Sequence, residues 1–383
     1  MLGFDLTDEQ KALADTARKF AREEIMPVAA RCDEAEEFPL DVFKQAWSLG
    51  LCNVELSPAH GGVGLGCLDH VLILEELNYA CAGITTSLEG TSLATLPLLV
   101  AGSDEQRAKY LGWLAREPVM AAYACSEPDA GSDVAALSTR VRMVGDEYVL
   151  DGQKRWITNG GLASWYVVFA TRDRSLRHKG ISCFVVDRDT PGIKVGRKEV
   201  KLGQRASNTT DVLFEEVKLT QKNLVGEEGQ GFKIAMRSFD RSRPWIAAGA
   251  AGIIRRCLDE SRRYALERKT FGVPIAQHQA VQFMLAEMAA ETYAMESIVY
   301  RTAWMCDSGM RFSRESAMCK YLCTELLDGI VDRAVQLHGG MGYSAEMWPE
   351  RFYRDSRINR IFEGTNEIQR VVIARDVLKK GGY

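Results

Sequence analysis

Val141-Arg142-Met143-Val144, then Gly145-Asp146, then Tyr148-Val149-Leu150, then Asp151-Gly152 alternate apolar runs with turn-forming pairs. Residues that favour an extended backbone, broken by residues that tolerate tight turns, mark a meander of short strands. The same rhythm returns at 165–170, 181–186 and 211–217. The span from about 123 to 224 is therefore expected to be a β-sandwich or barrel-like domain.

On both sides of this span the apolar spacing turns helical. Thr7 can cap a segment carrying Leu13, Ala17, Phe20, Ala21 and Ile25, and Pro27 is predicted to end it. Residues 68–77 and 91–100 read likewise. Beyond the meander, Phe232, Ala235, Met236 and Phe239 open a helix that Ile253, Cys257 and Leu258 continue past Pro244. Val281, Met284, Leu285 and Met288 mark a second, residues 315–337 a third, and a fourth starts at Thr365. Long amphipathic helices in series suggest an antiparallel bundle. The predicted class is α+β: a helical N-terminal domain (1–122), a middle β-barrel or sandwich domain (123–230) and a C-terminal four-helix bundle (231–383). The glycine-rich run 61–66 lacks G-x-G-x-x-G spacing and follows a poor strand, so it reads as a turn.

The bulk numbers exclude several functions. The 383 residues are 46% apolar and 26% charged, ordinary for a globular protein of two or three domains. A net charge of −4 with mixed signs argues against nucleic-acid binding, which needs a concentrated basic face. No apolar stretch reaches the length of a membrane span. The acidic, polar stretch Met1 to Gln10 resembles neither a signal nor a transit peptide, and the expected location is a bacterial cytoplasm, or a mitochondrial matrix if a presequence has been removed. None of the ten cysteines has C-x-x-C spacing, so no metal is expected, and Cys319 and Cys323, four apart on a predicted helix, read as small buried residues.

Ile361-Phe362-Glu363-Gly364-Thr365-Asn366-Glu367-Ile368-Gln369-Arg370 sets one carboxylate among apolar residues, beside a glycine and just ahead of a helix. Burial disfavours the charged form of a carboxyl, and a base that must remove a weakly acidic C–H proton wants a pKa near neutrality. Gly364 leaves room for a flat ligand near the backbone. A glutamate that merely favours a helix start is equally compatible with this stretch alone.

Five separated segments resemble the acyl-CoA dehydrogenases, over essentially the whole chain. They are Tyr123-Ala124-Cys125-Ser126-Glu127-Pro128-Asp129-Ala130-Gly131-Ser132-Asp133, Trp156-Ile157-Thr158-Asn159-Gly160, Arg268-Lys269-Thr270-Phe271-Gly272, Gln336-Leu337-His338-Gly339-Gly340 and the segment 361–370. The resemblance implies FAD-dependent α,β-dehydrogenation of acyl-CoA thioesters to trans-2-enoyl-CoA, a step of fatty acid β-oxidation. Glu363 would remove the α-proton, while Ser242 stands where some relatives carry the base instead and cannot serve. It further implies a homotetramer, a dimer of dimers with FAD shared across a subunit interface, and an electron-transferring flavoprotein as acceptor.

Residue by residue, the resemblance implies that Ser126 and Thr158 hydrogen-bond the flavin ring and that Trp156 packs beside it. Tyr123, Cys125, Ile157, Gly131 and Ser132 belong to the same cofactor segments, with Phe362, Thr365 and Glu367 around the base. Arg268, Thr270, Phe271, Gln279, Gln336, Leu337 and Gly340 would reach the flavin of a neighbouring subunit. Asp240, Arg243, Arg375, Ser132 and Gly364 match substrate contacts, and Glu89 falls near the floor of the acyl pocket. Phe362 replaces a common tyrosine, Asp129 a glycine, and Asn366-Glu367 a Ser-Gln pair, which leaves chain-length preference open. Branched or cyclic acyl-CoA substrates, an oxidase, and a silent CoA- or flavin-binding homologue are the alternatives.

Overall fold

The computed structural model describes residues 5–380. The first four residues of the polar opening stretch lie outside them. Thr7 caps helix α1 (Asp8–Phe20) in a reciprocal capping box with Gln10. The chain does not stop at Pro27 as the sequence suggested. A π-helical turn, Ala21–Ile25, runs just ahead and passes without a break into α2 (Met26–Ala35), so Pro27 sits inside one continuous helical stretch whose widened turn accommodates it. Helices α3 (Leu40–Ser48), α4 (Cys67–Ala80) and α5 (Ala82–Ala101) follow, then the short α6 (Asp104–Gln106) and α7 (Gly112–Arg116). Both α4 and α5 are buried on almost every side, polar residues such as His70, Glu75 and Glu89 included, because other elements enclose them.

The middle of the chain is one eight-stranded sheet. It comprises β1 (Met120–Ala124), β2 (Arg140–Val144), β3 (Glu147–Thr158), β4 (Ala163–Thr171), β5 (Ile181–Asp187), β6 (Ile193–Lys198), β7 (Thr209–Leu219) and β8 (Leu224–Val225). Their order is β6-β7-β3-β2-β4-β5-β8, with β1 parallel to β4 on a branch of its own. The sheet curls round a core of Val141, Leu150, Tyr166, Val168, Phe184, Val212 and Phe214. Alternate residues on the outer side, among them Tyr123, Trp165, Val167, Phe169 and Val185, pack with α5 residues Ala94 and Leu98 and with Ile234 and Ala235 of the next helix. A strand's period of two thus serves two cores at once.

That next helix is α8 (Gly231–Glu267), unbroken through Pro244. Pro244 cannot donate to the Asp240 carbonyl, which accepts from the Ser316 hydroxyl instead at 2.7 Å. The hairpin β9 (Lys269–Thr270) and β10 (Val273–Pro274) leads to α9 (Gln279–Asp307) and α10 (Ser313–His338). The short α11 (Gly340–Tyr343) and α12 (Trp348–Ser356) precede α13 (Asn366–Lys380). Helices α8, α9 and α10 share one core with α4 and α5, containing Trp245, Ile253, Met288, Val299, Cys319, Cys323 and Leu327. Among the described residues, no helix is long and apolar enough to cross a membrane, and no group of His, Cys, Asp and Glu could hold a metal ion.

Candidate active site

The stretch 361–365 is a tight turn between a 3-10 segment, Arg357–Arg360, and α13. Glu363 has φ 52° and Gly364 φ 90°, both left-handed. A non-glycine residue held there costs about 1 kcal/mol or more and persists only when its surroundings enforce it. The enforcement is visible. The Gly364 carbonyl accepts from Gln369 Nε2 and from Lys320 Nζ, each at 2.9 Å. Asn366 Oδ1 accepts from Lys320 Nζ at 2.8 Å, and Asn366 Nδ2 donates to Glu325 at 2.7 Å and Thr324 at 2.9 Å. Thr365 Oγ1 accepts from the Ile368 N–H at 3.4 Å, the capping role its place in the sequence suggested.

This turn delivers the Glu363 carboxyl to α8, where the Ser242 hydroxyl donates to it. Burial pushes the carboxyl up to about 7, against the Ser242 hydrogen bond and the charges of Arg243 and Lys320. Across from it is Glu89 of α5, buried, its Oε1 without a hydrogen-bond partner. Burial first, and then the Glu363 charge, raise Glu89 far above the ordinary carboxylate range. Glu363 itself is half-buried. Two carboxyls that feel each other's charge do not both ionise readily, which favours the neutral form of the more buried Glu89. Arg243 is also buried, paired with Asp240 at 2.7 Å. Asp240 in turn accepts from Ser313 Oγ at 2.5 Å.

The sheet supplies the other wall. Tyr123 on β1 is buried, its hydroxyl unpartnered, its ring packed on Phe169 and Phe239 at 5.1 and 5.5 Å between centroids. Glu363's charge helps raise the Tyr123 phenol, after burial and the neighbouring thiols of Cys125 and Cys183. Ser126 and Thr158 are half-buried, Cys125 and Ile157 belong to the core, and Gly131 and Ser132 lie exposed. Trp156 has φ 58° and is 50% exposed, with the Arg155 guanidinium 5.1 Å from its ring.

Two anchors hold this wall in register. The Asn159 amide donates to the Ser87 carbonyl at 2.7 Å, tying β3 to α5, and a Cβ at Gly90 would meet Thr158 at 2.7 Å. Buried Lys154 donates to the Cys125 carbonyl at 3.0 Å and to Glu127 at 2.8 Å. Glu127 also accepts from the N–H groups of Ser138 and Thr139 at 2.6 and 2.9 Å. Burial would raise its carboxyl, but Lys154 and these donors bring it to about 2.

The remaining candidates lie elsewhere. Arg268 ends α8, 26 residues beyond Ser242, about 40 Å along the helix at 1.5 Å per residue. Around it are Thr270, hydrogen-bonded to His278 at 2.9 Å, and Phe271, at φ 51° and 97% exposed. Exposed Gln279 starts α9, exposed Gln336 and buried Leu337 end α10, and exposed Gly340 starts α11. Arg375 and Glu367 are exposed on α13, and Phe362 is half-buried. One chain therefore assembles two groups of candidates, not one.

Profiles of the N-terminal, middle and C-terminal domains of acyl-CoA dehydrogenases match residues 7–118, 122–217 and 229–378. The chain belongs to the acyl-CoA dehydrogenase family. It is 44% identical over 380 residues to a probable medium-chain specific acyl-CoA dehydrogenase 2, mitochondrial, of Caenorhabditis briggsae, covering 98% of this chain and 92% of that one. The butyryl-CoA dehydrogenase structure from Megasphaera elsdenii superposes with a TM-score of 0.96 at 34% identity, over 98% of this chain and all of that one. An acyl-CoA dehydrogenase complexed with FAD from Bacillus anthracis gives 0.93 at 34% identity, over all of this chain and 68% of that one. The reaction class is that of an acyl-CoA dehydrogenase, an FAD-dependent oxidoreductase.

The residues present fit a flavin. A large aromatic side chain stands half-exposed on the strand that carries half-buried Thr158, half-buried Ser126 follows β1, and the buried Tyr123 hydroxyl on β1 has no partner. A Cβ at Gly131, Gly339 or Gly340 would meet nothing within 4 Å. Sequence reading missed two features of the site. It took Ser242 only as an absent base, whereas the hydroxyl donates to Glu363. It also passed over Lys320, a lysine in an otherwise apolar helical stretch with no motif around it; a charge on the buried side of a predicted helix was the one available signal.

Proposed function

We propose that Glu363 removes the α-proton of a short- to medium-chain acyl-CoA. The observation that carries this reading is a carboxyl raised to about 7 in a strained turn, hydrogen-bonded by Ser242 and close enough for its charge to act on Tyr123 and Glu89. A base with a pKa near the working pH combines adequate basicity with a usable ionised fraction. Bound FAD supplies the acceptor for the β-hydrogen and its electron pair. Ser126 and Thr158 would hydrogen-bond its ring, Trp156 would pack beside it, and Tyr123, Cys125, Ile157, Phe362, Thr365 and Glu367 would line its surroundings. Glu89, Asp240, Arg243, Gly364, Arg375 and Ser132 would contact the acyl-CoA. A neutral Glu89 leaves Glu363 as the carboxylate of the pair, which supports the division of roles.

About 40 Å of α8 separates Ser242, beside the base, from Arg268. This supports Arg268, Thr270, Phe271, Gln279, Gln336, Leu337 and Gly340 serving the flavin of a second copy within a tetramer built as a dimer of dimers. Exposed Phe271 suits burial against such a partner. Electrons would pass to an electron-transferring flavoprotein, in a bacterial cytoplasm or a mitochondrial matrix. A short or medium acyl chain is favoured by the butyryl and medium-chain relatives.

Glu363→Gln tests the reading. The variant is expected to bind FAD and acyl-CoA but to lose bleaching of the flavin by substrate. Bleaching at the parent rate would place the base elsewhere.

A further inference from the structure

Lys320 is completely buried on α10, and its ammonium has two direct partners, both neutral: the Gly364 carbonyl at 2.9 Å and Asn366 Oδ1 at 2.8 Å. Burying an ammonium is costly, and a neutral donor could have made the same two hydrogen bonds more cheaply. The charge therefore calls for an explanation beyond the clamp. Glu363, one residue before Gly364, supplies one, because its charge is the largest influence opposing Lys320's desolvation.

We propose that Lys320 is a positioning residue for the base. Its ammonium locks the Glu363–Gly364 turn in its left-handed form and favours the carboxylate of Glu363 without touching it. This rests on Glu363 being the base.

The geometry gives the lock a defined point of action. Gly364 and Glu363 occupy consecutive left-handed positions, and a peptide released from its carbonyl anchors would relax toward ordinary backbone angles. Gln369 Nε2 also holds the Gly364 carbonyl, so Lys320 supplies one of two anchors there. Lys320 alone links that carbonyl to Asn366, the residue that starts α13. Turn, helix start and α10 are thereby fastened at one nitrogen.

Electrostatics adds a second effect. Groups that influence Glu363 are Glu89 on α5, Tyr123 on β1, Ser242 and Arg243 on α8, and Lys320. Those around Lys320 are Glu363, Arg243, Glu325 and Glu367. Burial brings Lys320 down to about 7, with Arg243 pushing the same way and the carboxylates opposing it. Lys320 and Glu363 thus sit where each other's charge state matters most. Removing the ammonium takes away one of the two cations that stabilise the Glu363 carboxylate, so the base should hold its proton to higher pH.

The test is Lys320→Met, of similar length and uncharged, in the FAD-loaded enzyme. Expected are a kcat lower by about ten- to hundredfold, as for a base displaced by a fraction of an ångström to an ångström, and an acyl-CoA KM within about threefold of the parent. The lower limb of the kcat–pH profile should move up by about one unit. Lys320→Arg restores the charge, so the limb should return toward its original position even where kcat does not. Should Lys320→Met fail to fold, Lys320→Gln removes the charge while keeping an N–H donor, and the same upward movement is expected. An unchanged pH limb in a folded, FAD-loaded Lys320→Met or Lys320→Gln enzyme overturns the proposal. Activity surviving in Glu363→Gln would instead overturn the assignment of the base, which separates the two failures.

Discussion

Ser242→Ala asks whether the environment of Glu363 sets its titration. The Ser242 hydroxyl donates to the Glu363 carboxyl, and its other acceptor, the Phe239 carbonyl, is 3.4 Å away. Ser242 is fully buried, so alanine removes one oxygen and leaves the packing almost unchanged. A hydrogen bond to a charged group is worth about 1.5–3 kcal/mol, and one pKa unit corresponds to about 1.4 kcal/mol. Losing it should therefore raise the base by about one to two units above its present value of about 7. The sign follows from the role: the carboxylate is the active form, so activity falls as pH drops through the pKa, and the variant should lose activity at higher pH than the parent. At pH 7.5 the ionised fraction would fall from about three quarters to about one tenth for a shift of about 1.5 units, an eightfold or so loss of rate. Near pH 10 the two enzymes should converge. Stopped-flow bleaching of the flavin by substrate across this pH range measures the limb directly. A limb that stays in place, or moves down, would refute the reasoning, because it would mean that the hydroxyl does not favour the ionised base.

Lys154→Met should destabilise the protein by about 3–5 kcal/mol, since it strands a buried Glu127 carboxylate. It should also hasten FAD loss, because the Cys125 carbonyl and the loop to Thr139 lose their anchor; unfolding in urea and the rate of flavin release check both. Glu75→Gln addresses pH-dependent stability away from the site. Burial raises Glu75 to about 7, against the opposing charge of Arg255 and a hydrogen bond from Tyr300. The folded carboxyl keeps a proton that the unfolded chain gives up near 4.5, so its contribution is complete below that pH and is lost as pH rises through 7. The variant should fall less in Tm between pH 5 and 8 than the parent, by at most about 3 kcal/mol in stability, and an identical fall by calorimetry would contradict this.

Local patterns carried most of the fold. The turn pair Gly145-Asp146 closes a hairpin whose register, Val144 opposite Glu147 and Arg140 opposite Asp151, follows directly from that turn. Asp151-Gly152, expected to be a second turn, lies instead inside β3, where the pairing with β7 shifts register and the strand continues to Thr158. The Thr7 capping box is a three-residue device readable in any context. The prolines were harder to read. Whether Pro27 or Pro244 breaks a helix depends on what happens to one carbonyl, and the answers lie in a π-turn and in Ser316, 72 residues beyond Pro244. The order of strands in the sheet also depends on pairings between distant strands, such as β3 with β7.

For the site, the sequence by itself determined the residue types: a glutamate before a glycine, hydroxyl residues in the flavin segments, an arginine after a long helix. These survive reading because the chemistry needs particular functional groups in short, recognisable neighbourhoods. Only the tertiary structure decided how those groups behave. Glu363 is poised near neutrality by a balance among burial, Ser242, Arg243, Lys320 and Glu89, contributed by three helices and one turn. Only the length of α8 shows that the base and the group around Arg268 stand far apart in one chain. Electrostatic energy and reach depend on distance in space, and distance in space is what a linear sequence does not contain.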